Sequence, residues 1–167
     1  MAFRKGLQVD VSVPVRLRLG EPVPQHPRMV DFHSLPAPVV SQRLADVLRE
    51  TALPGVQLVP ADVEVAEGDT RRYWLVHMWR RLACVDMARS SVTLYPSGGI
   101  LDIESLVLDE AVLQETPLEE RMVFRVREVV LHLVHRTVME RVLALAPPVE
   151  GIRFVPVPEW SDGRAFR

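Results

Sequence analysis

Residues 7–19 alternate apolar and polar side chains without a break. Leu7, Val9, Val11, Val13, Val15, Leu17 and Leu19 are apolar, and Gln8, Asp10, Ser12, Pro14, Arg16 and Arg18 lie between them. A repeat of two describes a strand with one face buried and the other in water. Pro14 has no N–H to give a ladder, so the strand lies at a sheet edge or is broken at that point. A half-buried strand needs a second layer against its apolar face, and the rest of the chain supplies candidates for it.

The proline-rich stretch 20–38 reads as an irregular connector. Ser41 then suits an N-cap, and Leu44, Val47 and Leu48 give a helical stripe running to about Thr51. Pro54-Gly55 stops that helix, and Val56 to Val59 predicts a short strand. Strands are predicted next at Tyr73 to Trp79, Leu82 to Val85 and Val92 to Tyr95. After a turn at Pro96-Ser97-Gly98-Gly99, Ile100 to Leu108 predicts a further strand whose pattern switches at Ser105. Met122 to Val126 and Val129 to Val134 predict two more. A second helix is predicted from His135 or Thr137 to Leu145, with Thr137 and Glu140 at capping-box spacing.

Two stretches look alike. Val39 to Leu48 and Leu133 to Val142 each run from a strand end into a helix. Each is followed by a similar hexapeptide, Gly55-Val-Gln-Leu-Val-Pro60 and Gly151-Ile-Arg-Phe-Val-Pro156. The expectation is a strand–helix–Gly–strand–Pro unit used twice, with Val56 to Val59 and Ile152 to Val155 as equivalent strands. The fold class expected is α+β, a mixed, mainly antiparallel sheet with the two helices packed on it.

With 167 residues, 48% of them apolar, the chain is expected to bury about 70% of its unfolded surface. We therefore expect one domain over 1–167, with 161–167 as a loose tail. Its 20 basic and 22 acidic residues leave a net charge of -2, which argues against a general nucleic-acid binder. A lone cysteine, Cys84, gives no disulfide framework. The first twenty residues lack the continuous apolar stretch of a signal peptide, and no apolar run approaches a membrane span. These features predict a soluble, cytoplasmic protein.

The charge is arranged in blocks. Residues 31–70 carry two basic and seven acidic side chains, residues 71–95 five basic and one acidic, and residues 96–120 seven acidic and no basic. Such blocks neutralise one another inside a fold, or they present a negative surface to a basic partner. The candidate partner-binding residues are Asp102, Glu104, Asp109 and Glu110 in one block, and Glu64, Glu67 and Asp69 in the other. Trp79 has the opposite strand parity from Trp74, so either one of the two lies at an outer surface, where it would serve as an anchor, or both have core roles.

Catalytic signatures are missing: no GxGxxG, Walker loop, HExxH or CxxC pair occurs. Ser97-Gly98-Gly99 lacks the strand-to-helix context of a phosphate loop. His132 and His135 sit at a strand-to-helix junction and need not converge. Cys84, in an apolar strand, reads as a small core residue, and Asp86 with Ser90 as a capped turn. We therefore expect no catalytic residues, metal or cofactor. The enzymatic alternative is a hydrolase using Asp102 or Glu104.

The ordered set of motifs resembles a known family. They are Val39-Val40-Ser41-x-Arg43-Leu44, Leu53-Pro54-Gly55-Val56-x-Leu58-x-Pro60, Tyr73-Trp74-Leu75-Val76, Cys84-Val85-Asp86-x-x-x-Ser90, Leu106-Val107-Leu108-Asp109, Val123-Phe124-Arg125-Val126, and Gly151-Ile-Arg-Phe154-x-Pro156-Val157. Over about residues 30–160 this resembles the eleventh immunity-protein family of bacterial polymorphic toxin systems. Departures fall at His135, where a small N-cap residue is expected, and at His77, where Asn is common. The resemblance implies a non-enzymatic protein that binds and neutralises a cognate protein toxin in the cytoplasm. Neither nucleic acid nor membrane is expected as a partner, and a homo-oligomer is left open. A protein-binding or regulatory module of the same fold, without an immunity role, is the other non-enzymatic reading.

Overall fold

The computed structural model describes residues 6–34 and 37–165. Its strands are β1 (Val15–Arg18), β2 (Phe32–His33), β3 (Val39–Val40), β4 (Val56–Ala66), β5 (Asp69–Met78), β6 (Arg81–Leu82), β7 (Ser91–Leu94), β8 (Ile100–Ser105), β9 (Val123–Val126) and β10 (His132–Val134). The helices are α1 (Gln42–Glu50), α2 (Glu110–Glu115), α3 (Arg136–Leu143) and α4 (Asp162–Ala165). The strands form a five-stranded sheet in the order β1-β4-β5-β3-β2, a three-stranded sheet β10-β9-β6 and the β7-β8 hairpin. Pairing is mostly antiparallel, with β1–β4 and β6–β9 parallel. The class is α+β, as expected.

The long β4–β5 hairpin is the spine, and alternation along it gives the large sheet two apolar faces. Val59, Ala61, Val63, Val65, Tyr73 and Leu75 form one cluster, covered by Val9, Val11, Val15, Leu17 and Leu19 of the N-terminal segment. Val76, with Val40 of β3, belongs to a second cluster on the other face, where α1 and α3 bring Leu44, Ala45, Val47, Val138 and Val142. Complete burial of each such aliphatic side chain contributes about 1.5–3 kcal/mol. A third cluster, around Leu82, Cys84, Ile103, Phe124 and Val126, lies between the small sheet and the β7–β8 hairpin.

The N-terminal alternation is half strand. Only Val15–Arg18 pairs, at the sheet edge beside β4 and beyond Pro14, while Val9 and Val11 cross the sheet face outside any ladder. The strand predicted at Val56 to Val59 extends to Ala66, because β5 runs back along it from the Glu67-Gly68 turn. Leu82 to Val85 is a strand only at Arg81–Leu82, with one further bridge from Val85 to Leu108.

The repeat holds for its first half only. β3 leads into α1 through Ser41, and β10 leads into α3 through His135. Val56 to Val59 is strand, but Ile152 to Val155 is irregular, so the equivalence of the two hexapeptides is overturned. The hexapeptide itself does not make the strand: β4 has β5 as its partner, whereas among the described residues 152–155 meets no partner strand and Phe154 packs onto the helix cluster instead. The two glycines also differ. A Cβ at Gly55 would collide with Arg80, whereas Gly151 takes a left-handed φ of 86° and abuts the Phe32 carbonyl and Val30.

His135 takes the N-cap position, its Nδ1 accepting from the Thr137 N–H at 3.3 Å, so the Thr137–Glu140 capping box is not formed. Asp86 and Ser90 form the predicted capped turn, with the Asp86 carboxylate accepting from the Ala88 and Arg89 N–H groups. Of the segment expected to be loose, 166–167 lies outside the described residues. Within 161–165, the Asp162 carboxylate accepts from the Ile103 N–H at 2.8 Å, which covers the outer edge of β8.

Candidate functional site

Internal ion pairing removes much of the blockwise charge. Arg72 pairs with Asp62, Arg71 with Asp69, Arg80 with Glu120 and Arg89 with Asp86. Of the 62–69 candidates, Asp69 is therefore already engaged, with its carboxyl held below the ordinary range by hydrogen bonds from Arg71. Glu64 is exposed opposite Arg18 in the β1–β4 register, and Glu67 is exposed in the hairpin turn.

The second acidic block behaves differently. Asp102 and Glu104 project from the exposed side of β8, because Ile103 between them is buried in the third cluster. Glu104 accepts a hydrogen bond from the Ser91 hydroxyl at 2.8 Å. Asp109 is the N-cap of α2 and accepts from the Ala111 and Val112 N–H groups at 3.0 and 3.2 Å. Glu110 follows it on the exposed first turn. Among the described residues, none of these four carboxylates forms an ion pair. Asp102 and Glu104 border a cleft of about 430 Å³ shared with Ser91, Thr93, Ser161 and Gly163, and among the described residues no basic one lines it.

The two acidic blocks do not share a sheet: Glu64, Glu67 and Asp69 belong to the β4–β5 hairpin, and Asp102 and Glu104 to the β7–β8 hairpin. Trp79 lies elsewhere again. Half-buried just beyond β5, it lines a cleft of about 340 Å³ with Gly6, Arg80, Arg81 and Arg127. Trp74 is held by the helix: its indole N–H donates to Gln42 Oε1 at 2.8 Å, and the Arg49 guanidinium lies 3.9 Å from its ring centre.

The model of the immunity protein family (Imm11) matches residues 6–159. The chain belongs to this family. No curated protein matches the chain.

Membership of an immunity family implies binding to a cognate toxin, and proteins of such families are generally non-enzymatic. Cys84 is buried, and burial pushes its thiol up to about 11, far from the ionised form a nucleophile needs. Among the described residues, no three His, Cys, Asp or Glu side chains converge as a metal-ligand set, and no helix is long and apolar enough to cross a membrane.

Sequence reasoning missed the basic row beside Trp79. Arg81 stands opposite Arg125 in the β6–β9 ladder, and Arg125 opposite His132 in the β9–β10 ladder. The available signal was an arginine inside the apolar strand Val123–Val126. His132 is held well below its usual range, at about 4, first by burial and then by the Arg125 charge.

Proposed function

We propose that this Imm11 chain is an immunity protein that binds a cognate bacterial toxin in the cytoplasm and neutralises it by covering its active site or substrate surface. The family match over residues 6–159 carries the immunity reading. The contact surface we assign is the acidic cleft, with Asp102 and Glu104 at its border and Asp109 and Glu110 on the α2 turn. Carboxylates without an ion pair, with Arg89 the charge felt by Asp109 and Glu110, cost self-repulsion in the free protein, and a basic partner relieves it. An electropositive toxin surface, such as the substrate channel of a nuclease, is the natural complement. In this reading the chain acts as one unit by binding alone, with no catalysis of its own.

The test is co-expression with the toxin encoded beside this gene. Cells that make the toxin should grow only when this protein is also made, and the two should co-purify as a complex. Growth arrest despite abundant folded protein, with no complex formed, would overturn the immunity reading.

A further inference from the structure

The basic cleft has a feature that folding does not require. Residues opposite one another in a ladder share a face, so Arg81, Arg125 and His132 form a row across the three strands β6, β9 and β10. Arg127, two residues beyond Arg125, keeps the same strand parity. The opposite face of these strands carries Leu82, Phe124, Val126 and Leu133 into the third apolar cluster. On the other face Val123 and Val134 join the helix cluster, and beyond them Arg81 and Arg125 lie directly opposite each other, a destabilising arrangement of like charges.

Local carboxylates do not pair with Arg125 or Arg127. Glu120 is taken by Arg80. Glu128 is turned the other way, its Oε1 accepting from the Val85 N–H. Among the described residues, Arg125 and Arg127 form no ion pair, and Arg125 Nε is buried without a hydrogen-bond partner.

We propose that this cleft, lined by Trp79, Arg80, Arg81 and Arg127 with Arg125 beside Arg81 in the ladder, is a second binding site that takes carboxylate side chains from an acidic peptide segment of the protein partner. The guanidinium fork matches a carboxylate in a bidentate pair, and the indole gives the methylenes of a glutamate an apolar wall. A volume of about 340 Å³ suits one or two side chains rather than a nucleic-acid strand. A strand would also need a continuous basic track, and the chain carries a net charge of -2. His132, pushed down to about 4, is neutral at pH 7, so the arginines carry the charge of the row. The proposal rests on the reading that the partner is a protein, and adds that the partner presents acidic as well as basic groups.

The full chain is titrated with a polyglutamate peptide, with inorganic phosphate and with a single-stranded oligonucleotide, at low and high salt, using calorimetry and tryptophan fluorescence. The peptide should bind more tightly than either other probe and weaken as salt rises. Arg125→Gln with Arg127→Gln should weaken it by about tenfold or more, the weight of a lost charge-assisted hydrogen bond. The corresponding lysine pair should restore part of the binding, and Arg16→Gln with Arg18→Gln should leave it unchanged. Should the Arg125 variant unfold, Arg127→Gln alone, at an exposed position, with Trp79→Phe gives the same reading. No peptide binding, equal binding by the folded glutamine variants, or tighter binding of phosphate or oligonucleotide would each overturn the proposal. Co-expression with the toxin separates the two ideas: a chain that protects cells but ignores polyglutamate keeps its immunity role and loses this site.

Discussion

Gln57 holds Val9 by two hydrogen bonds that imitate a strand ladder: the Val9 N–H donates to Gln57 Oε1 at 3.0 Å, and Gln57 Nε2 donates to the Val9 carbonyl at 2.6 Å. Next to it, buried His77 lies across from Gln57 in the β4–β5 register, with its Nε2 2.8 Å from the Leu7 carbonyl. Because a carbonyl only accepts, that nitrogen carries the proton. The N-terminal segment is therefore fixed across the sheet by side chains. Gln57→Leu leaves both part-buried Val9 backbone groups without these partners, and should destabilise the fold by about 1–3 kcal/mol in denaturant titration. Hydrogen exchange at the Val9 amide should accelerate in the same variant.

The same pair shows what could be read in the chain. Alternation correctly put Val9, Val11, Val15, Leu17 and Leu19 against the core, because parity is a local property, but it failed at Leu7 and Val13, which lie outside the ladder and are 62% and 68% exposed. It did not show that Val9 bonds to a side chain, because a partner 48 residues away leaves no local trace. The hexapeptides show the same limit: Val56 became strand through its pairing with Met78, and no residue offered that to Ile152. Of the candidate site, Asp102 and Glu104 were legible as neighbours on one strand face. The arginines around Trp79 were not, since Arg81 and Arg125 meet only through a parallel pairing of segments far apart in sequence.

Asp31 ties three segments together. Its carboxylate accepts from Arg43 Nε and Nη2, from the Ser41 hydroxyl and from the Glu150 N–H, while Arg43 reaches on to the Pro147 and Pro148 carbonyls. The Arg43 hydrogen bonds hold its carboxyl far below the ordinary Asp range. A depressed folded-state value means that this stabilisation is fully present above about pH 3.9 and is lost as pH falls below it. Asp31→Asn should lower the melting temperature at pH 7 and flatten the acid limb of the stability curve. A wild-type acid limb in the folded variant would show that Asp31 is not the group responsible.

His132 acts in a different pH window. Its folded-state value of about 4 lies below the ordinary histidine value of about 6.5, so between those limits the unfolded chain binds a proton that the native chain does not. Stability should therefore fall as pH drops from 6.5 towards 4, by an amount on the order of 2–3 kcal/mol. His132→Gln should remove most of that slope while keeping the fold. Chemical denaturation at pH 7.5, 6 and 5 gives the comparison, and an unchanged slope would assign the effect to another histidine.

The acidic surface makes the most direct demand on the partner. Asp102 and Glu104 lie on an exposed strand face whose other side holds Ile103 in the core, so reversing their charge leaves the packing intact. Glu110 is exposed at the start of α2, whereas Asp109 also caps that helix through two backbone hydrogen bonds. Asp109→Asn keeps the acceptor and removes the charge. We therefore expect Asp102→Lys, Glu104→Lys and Glu110→Lys, combined with Asp109→Asn, to retain the wild-type circular dichroism. Association with the cognate toxin should slow by at least about tenfold at low salt, and the salt dependence of the wild-type on-rate should be lost. Contacts at the rim of an interface change mainly the on-rate, whereas a desolvated pair also speeds dissociation and costs about 2–5 kcal/mol. Stopped-flow measurements at two ionic strengths separate these cases. An unchanged on-rate in the folded variant would remove this face from the interface and leave the arginine cleft beside Trp79 as the surface to test.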